Sequence, residues 1–487
     1  MKITDYEPKR VFHHFAEISK IPRGSGNEKA VSDYIVDFAF DLELSCRRDS
    51  SYNVVVYKPG TPGYENSPPV ILQGHLDMVC EKNADTVHDF LKDPIKLKVD
   101  GDFLMADGTT LGADNGIAIA YCMALLEATD IPHPPLEIVL TSDEEAGMTG
   151  AMNLDGSLLK GRRMINMDSG SVGVGCFTAG SAAALTAEYE IFVHWETPNP
   201  DFESYQLTVK GLTGGHSGGD IDKERGNALH ILGVILNQLA GYPDIGDIGF
   251  ADVSGGMKVN AIPREAQATV VFNSENKETL IKTYEEYSSM LKRFYRVTDP
   301  NLEISFQPVK PPERIYDNAC LNSLSRLLLL LPCGVQMMSR EIDGLVAASC
   351  NIGVFETYDD CLNITCMARG ASKEHATYIE DKLFTLAGVA RADVHFVDRS
   401  PAWAYNPDSE IIKLFASYYK EVSGKEPKIT AMHGGLECGI FAEKLPGLDI
   451  VALGPLMHDL HTPQERLSIS STDEIWKLLC GALGRMK

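Results

Sequence analysis

Apolar residues recur at helical spacing over residues 6–20, where Val11, Phe12, Phe15 and Ile18 share one face, and again over residues 28–40. Short strand patterns follow at 42–48 and 53–58, and the Pro and Gly content of 59–69 predicts a loop. Val70-Ile-Leu-Gln-Gly-His75 then opens on an apolar run that predicts a buried strand, and it ends in His75 with Asp77 two residues on. Side chains at i and i+2 on extended backbone point the same way, so an imidazole and a carboxylate stand together. Three later segments repeat the arrangement. Asp107-Gly-Thr-Thr-Leu-Gly-Ala-Asp-Asn-Gly116 is a glycine-rich turn leading into a helix over 117–127. Asp114 stands at that helix's first turn, where a carboxylate either caps free N–H groups or serves as a rigid metal ligand. Leu136-Glu-Ile-Val-Leu-Thr-Ser is a second buried strand and runs into Asp143-Glu-Glu-Ala-Gly147. Arg163-Met-Ile-Asn-Met-Asp-Ser-Gly170 is a third and delivers Asp168. Functional groups at the carboxyl ends of strands follow the rule for open α/β sheets.

Beyond Gly180 the texture changes. Alternating segments at 183–193, 204–210 and 266–272 predict strands, with helices over 226–239 and 277–295. From about residue 311 the order is similar: a helix at 320–331, strands at 347–357 and 360–369, and a helix at 373–388. A duplicated unit would produce that order, although no sequence repeat accompanies it. From Asn406 the α/β texture returns, with helices at 409–422, 439–444 and 472–486 and strands at 428–433 and 449–454. The expected fold class is therefore α/β, a mixed sheet flanked by helices and built from both ends of the chain. The expected domains are residues 1–184 and 401–487 together, with an α+β domain inserted over 185–400.

Length and composition fit this division. A chain of 487 residues exceeds one ordinary core, and 44% hydrophobic with 23% charged residues is usual for a soluble globular protein. No apolar run is long enough to cross a bilayer, and residues 1–8 carry no apolar signal core, so neither membrane partner nor export is expected. Eleven cysteines, an odd count without a Cys-x-x-Cys, suit reduced thiols in a cytoplasm. A net charge of −24 argues against nucleic acid as a partner, and acidic residues gathered in a cleft would draw divalent cations.

The candidate ligands are His75, Asp114, Glu145, Asp168 and a histidine of Met457-His-Asp-Leu-His-Thr-Pro-Gln-Glu465. Two imidazoles and three carboxylates, one of them bridging, can hold two metal ions roughly 3.5–4 Å apart. Nitrogen and oxygen donors without thiolate suit zinc, manganese or cobalt. Glu144 then stays free as a base for an activated water, and Asp77 stands behind His75 to hold its second ring nitrogen. Spacing leaves both His458 and His461 open as the last ligand.

His75-Leu-Asp77, Gly112-Ala-Asp-Asn-Gly116, Glu144-Glu145-Ala-Gly, Asp168-Ser and Gly215-His216-Ser-Gly-Gly together resemble the signature set of the co-catalytic di-zinc exopeptidases. That superfamily includes carboxypeptidases, aminoacylases, carnosinases and tripeptidases. Leu76-Asp-Met-Val, Asp85-Thr-Val-His-Asp-Phe and Gly435-Leu-Glu-Cys-Gly439 are further similar to its branch of aminoacyl-histidine dipeptidases, over essentially the whole chain. The resemblance implies a catalytic domain with an inserted lid domain, two zinc-like ions, and hydrolysis of unblocked dipeptides such as β-alanyl-histidine. It implies that His75 and Asp168 bind one metal and Glu145 and His461 the other, with Asp114 bridging. The family pattern of a histidine followed by Thr/Ser-Pro and an acidic residue favours His461 over His458. Glu144 becomes general base and acid, Asp77 orients His75, and His216 reaches over to stabilise the oxyanion. That last role requires the lid to close, with hinges expected near 183–186 and 398–404. Asn260, Arg369, His433 and Glu437 match substrate-contacting positions, Arg369 suited to a C-terminal carboxylate and Glu437 to a free amine. Relatives that pair through the lid imply a homodimer as one arrangement, and a long, duplicated lid that supplies the same contact within one chain as the other. The alternative activities are N-acyl amino-acid deacylation and tripeptide cleavage on the same metals.

Overall fold

The computed structural model describes residues 2–170, 173–241 and 247–487. The chain divides into two compact units, the first made of Met1–Gly180, Tyr405–Ala431 and Leu436–Lys487, the second of Ser181–Ala404 and Met432–Gly435. In chain order the elements used below begin with helices α1 (Lys9–Ile18) and α2 (Lys29–Asp41) and strands β1 (Ser45–Arg48), β2 (Val54–Lys58) and β3 (Val70–His75). Helix α3 (Ala113–Glu127) and strands β4 (Leu136–Thr141), β5 (Arg163–Asn166) and β6 (Cys176–Ser181) follow. The second unit carries β7 (Ala183–Phe192), β8 (Phe202–Lys210), β9 (Gly215–His216), α4 (Ala228–Gly241), β10 (Ile248–Gly255), β11 (Ala261–Ile262) and β12 (Ala266–Asn273). It continues through α5 (Lys277–Phe294), β13 (Glu303–Pro308), α6 (Asn318–Leu330), β14 (Val346–Thr357), β15 (Cys361–Gly370), α7 (Lys373–Ala390) and β16 (Asp393–Ser400). The chain ends with α8 (Glu410–Ser423), β17 (Lys428–Met432), α9 (Glu437–Lys444), β18 (Asp449–Ala452), β19 (Met457–His458), β20 (Arg466–Ser468) and α10 (Ile469–Leu483).

The first unit is built on an eight-stranded mixed sheet in the order β1-β2-β4-β3-β5-β18-β6-β17. Its centre is parallel: β3 pairs with β4 and β5, and β5 with β18, in one direction. Every residue of β3 and β4 is buried, as expected of parallel strands covered on both faces. Helix α3 is apolar around most of its circumference and buried from Gly116 to Leu126, which makes it the central filler of this core. The expected strand at 42–48 begins only at Ser45. Glu43 adopts a positive φ of 56° and Leu44 N–H closes on Ala39, so residues 42–44 finish the end of α2. A hairpin of Leu97–Asp100 and Phe103–Ala106, absent from the sequence reading, pairs with β20.

The second unit is a nine-stranded antiparallel sheet with its own core, in the order β13-β8-β12-β10-β14-β15-β7-β16, with Gly334–Met338 pairing on β14. It contains a topological repeat. Strands and helices β8-α4-β10-β12-α5-β13 and β7-α6-β14-β15-α7-β16 are both βαββαβ runs with the same spatial strand order, and they meet where β10 adjoins β14. The sequence pattern puts the second repeat from about residue 311. Its first strand is instead β7, so the first repeat is inserted between β7 and α6.

Candidate metal centre and its surroundings

In the first unit the carboxyl ends of the parallel strands deliver His75, Glu144, Glu145 and Asp168 to one crevice, where the segments carrying Asp114 and His461 meet them. His75 ends β3 and is buried. Its Nδ1 lies 3.2 Å from Asp77 Oδ1 and its Nε2 3.3 Å from Asp114 Oδ1 and 3.9 Å from Asp168 Oδ1. Asp77, fully buried, also accepts Ser25 Oγ at 2.7 Å and the backbone N–H groups of Glu144 and Glu145 at 3.0 and 3.1 Å. Those two glutamates open a short helix, Glu144–Gly147, entered through Asp143 at a φ of 55°. One carboxylate behind His75 therefore fixes both the imidazole and the backbone of the glutamate pair.

Asp114 does not cap α3. Its backbone is non-helical there, at φ −80° and ψ 105°, and its side chain faces inward. One carboxylate oxygen is the partner of His75, and the other lies 3.4 Å from His461 Nε2, which is also 3.1 Å from Glu145 Oε1. Among the described residues, three groups of side chains bring donor atoms close enough to hold a metal ion: His75, Asp114 and Asp168; Asp114, Glu145 and His461; and His75, Glu144 and Glu145. Asp114 is common to the first two. His458 takes another course, lying on β19 opposite Arg466 with its ring against Phe103.

The electrostatics are those of crowded carboxylates. Burial opposes a charge on His75, but Asp114 and Asp77 outweigh it and raise its pKa well above the ordinary value. Asp114 and Glu145 lift His461 to about 10. Burial would raise Asp77, yet the adjoining imidazole holds it at about 2. Burial, then the Asp114 charge, pushes Asp168 well up. Burial likewise lifts Glu144 to about 8 against the pull of His75, with Glu437, Glu145 and Asp114 adding to the rise. Glu437 starts α9, also in this unit. Its Oε2 accepts Gln73 Nε2 at 2.5 Å and Thr141 Oγ1 at 2.7 Å, while its buried Oε1 has no hydrogen-bond partner among the described residues.

In the second unit His216, Arg369 and His433 converge on Gly218. A Cβ at Gly218 would lie 2.5 Å from the His433 carbonyl, 3.1 Å from His216 Cε1 and 3.2 Å from Arg369 Nε, so only glycine fits. His216 Nδ1 accepts the N–H groups of Gly218 and Gly219 at 3.2 and 3.0 Å. That leaves the proton on Nε2 as an outward donor. Partial burial, and then Arg369, lower its pKa. Arg369 is 6% exposed, its Nε has no hydrogen-bond partner among the described residues, and burial brings the guanidinium down to about 10. His433 Nε2 is 2.7 Å from Ser349 Oγ, and burial, then Arg369, drops it to about 4. Asn260 is exposed next to His216, since β9 pairs with β11 and Ser217 N–H donates to the Asn260 carbonyl.

A family model described as peptidase family M20/M25/M40 matches residues 71–485. The chain belongs to that family. A curated relative, the cytosol non-specific dipeptidase of Escherichia coli (strain K12), is 36% identical over 481 residues, covering 98% of either chain. The crystal structure of aminoacylhistidine dipeptidase from Vibrio alginolyticus is similar at a TM-score of 0.92 and 36% identity, over 100% of this chain and 98% of that one. Aminopeptidase PepT from Bacillus cereus shares the fold at a TM-score of 0.57 and 15% identity, with 99% of each chain covered.

Three residues that position this M20 crevice escaped the sequence reading. Asn115 receives the His75 N–H on its Oδ1 and donates to the Met167 carbonyl and Asp168 Oδ1. Arg23 and Glu465 are buried charges holding the loops around Asp114. Glu465 carried a signal, since it closes the same motif that supplies His461. Arg23 lies in a turn read only as a turn.

Proposed function

We propose that the chain hydrolyses unblocked dipeptides on a two-metal site, with Xaa-His dipeptides such as β-alanyl-histidine among its substrates. The observation that carries this reading is the placement of Asp114, one oxygen toward His75 and the other toward His461. The donor set fits a pair of divalent ions. It consists of nitrogen and oxygen atoms, and Glu145 Oε1 is buried 3.1 Å from His461 Nε2 without hydrogen-bond alignment, as two donors aimed at a common point would be. On this reading His75 and Asp168 would hold one ion and Glu145 and His461 the other, with Asp114 offering an oxygen to each; zinc is the first expectation, manganese or cobalt the alternatives. When bound, such ions supply the Lewis-acid charge that polarises a peptide carbonyl and lower the pKa of water toward neutrality.

The protein's own groups do the rest. Glu144 is half-buried, with a carboxyl pushed up to about 8, so its carboxylate is a stronger base that can take a proton from water and return it to the departing amine. Asp77 keeps the His75 ring oriented and fixes the Glu144 backbone. His216, with Nε2 as its donor nitrogen, is assigned to the oxyanion. Arg369, a buried guanidinium with an unpartnered Nε, suits the substrate's carboxylate, with Asn260 and His433 beside it in the second unit. The unpartnered Oε1 of Glu437 suits a free substrate amine, and this favours dipeptides over N-acylated amino acids.

The test is hydrolysis by metal-stripped and zinc- or manganese-reloaded protein, on free dipeptides including β-alanyl-histidine, an N-acetylated amino acid and a tripeptide. Metal-dependent cleavage confined to dipeptides is the expected result. Cleavage of the acylated substrate alone moves the function to deacylation.

A further inference from the structure

The candidate ligands stand on separate loops, and two buried charges that are not ligands tie those loops together. Glu465 is 2% exposed. Its Oε2 accepts the N–H groups of Leu111 and Gly112 at 2.8 and 3.0 Å, and its Oε1 those of Ala113 and Asp114 at 2.8 and 3.3 Å. These donors lead into α3 ahead of its regular part, which resumes after the non-helical Asp114 and Asn115, and they are satisfied by a carboxylate some 350 positions further along the chain. Arg23, 3% exposed, donates to the carbonyls of Leu76 and Asp77 at 2.9 Å each and also to that of Gly112. The chain makes room for it. A Cβ at Gly112 or Gly116 would lie 2.7 or 2.6 Å from the Arg23 Nη2.

Each link has a consequence for geometry. Arg23 joins the loop after β3, which carries Asp77, to the turn before Asp114. Glu465 joins that turn to the segment that carries His461, four residues away in sequence. Because Glu465 takes the amides, Asp114 need not. An aspartate in a first helical turn otherwise folds back on those N–H groups as a cap. Here its carboxylate is free to face His75 on one side and His461 on the other.

We infer that Glu465 and Arg23 are positioning residues that hold Asp114 across the two candidate metal subsites and set the distance between the His75 and His461 loops. This rests on the two-metal reading above. It goes beyond that reading by assigning the site's assembly to a carboxylate and a guanidinium that belong to none of the candidate ligand groups.

The experiment titrates the metal-stripped full-length chain with cobalt(II), followed by visible absorbance and metal analysis, in the parent, Glu465→Gln, Arg23→Lys and Glu137→Gln. Glu137 is the control. It is also a buried carboxylate on backbone amides, accepting Lys160 and Gly161 N–H at the other end of β4. The parent binds two equivalents. Glu465→Gln, which leaves an amide facing donors, weakens the second equivalent on the order of 10- to 100-fold at a temperature where it is folded. Glu137→Gln lowers the thermal midpoint but binds both equivalents as the parent does. If Glu465→Gln does not fold, Arg23→Lys is read on the same two measurements, with the same expected loss. A variant that binds both equivalents within about twofold of the parent overturns the inference while leaving the two-metal reading intact. A parent that binds none overturns the two-metal reading itself.

Discussion

Asp77 Oδ1 stands 3.2 Å from His75 Nδ1 and accepts the Glu144 N–H at 3.0 Å, so one buried carboxylate holds a candidate metal ligand and the candidate base in register. Asp77→Asn presents one oxygen and one NH2 to a site where three N–H or O–H donors and a ring nitrogen converge. Metal affinity or turnover should fall about 10- to 100-fold with the protein still folded. Metal analysis after dialysis against a chelator, alongside circular dichroism, checks this. Unchanged metal retention and turnover would remove Asp77 from the role.

Glu144→Gln separates proton transfer from metal binding. The amide keeps the side chain's shape but cannot accept a proton, and neither the group of His75, Asp114 and Asp168 nor that of Asp114, Glu145 and His461 uses Glu144. Turnover of a susceptible dipeptide should drop by at least about 10²- to 10⁴-fold, with two metal equivalents retained. A rate near that of the parent would assign the base elsewhere.

Much of this site is legible in the sequence because its strands are buried on both faces. Val70–His75 and Leu136–Thr141 read as apolar runs, and the ionisable residues that follow them are conspicuous for ending those runs. What is not legible depends on partners remote in the chain. Nothing near Glu465 indicates that its acceptors' donors are the amides of residues 111–114, and nothing near Arg23 indicates three carbonyls around residues 76 and 112. Asp114 reads equally as a cap or a ligand until Glu465 is seen in the cap's place. The nesting of one βαββαβ run inside another is hidden for the same reason. Strand Ala183–Phe192 pairs with partners roughly 170 to 215 residues on, and periodicity carries no information about pairing.

His216 is held for donation. Two backbone N–H groups on Nδ1 leave Nε2 protonated, and the lowered pKa keeps the ring neutral at pH 7. Removing one oxyanion donor costs roughly 10²- to 10³-fold in kcat. His216→Ala should show that loss with KM little changed and both metals retained. A change confined to KM would make His216 a binding residue instead.

His433 gives the second unit a pH-dependent stability. Its ordinary pKa is about 6.5, and burial, then Arg369, lowers it to about 4 in the folded protein. The unfolded chain therefore binds the proton more readily between those values. The contribution of the neutral imidazole is fully present above about pH 6.5 and is lost as pH falls toward 4. At pH 4.5 the difference amounts to about 2–3 kcal/mol relative to pH 7. His433→Gln removes the titrating group and leaves a side chain that can still bond Ser349 Oγ. Urea unfolding of parent and variant at pH 7 and 4.5 isolates the term from the carboxylates common to both. The parent should lose about 2–3 kcal/mol more than the variant over that interval. Equal losses would mean that His433 is protonated in the folded protein at pH 4.5, with Arg369 paired by some other anion.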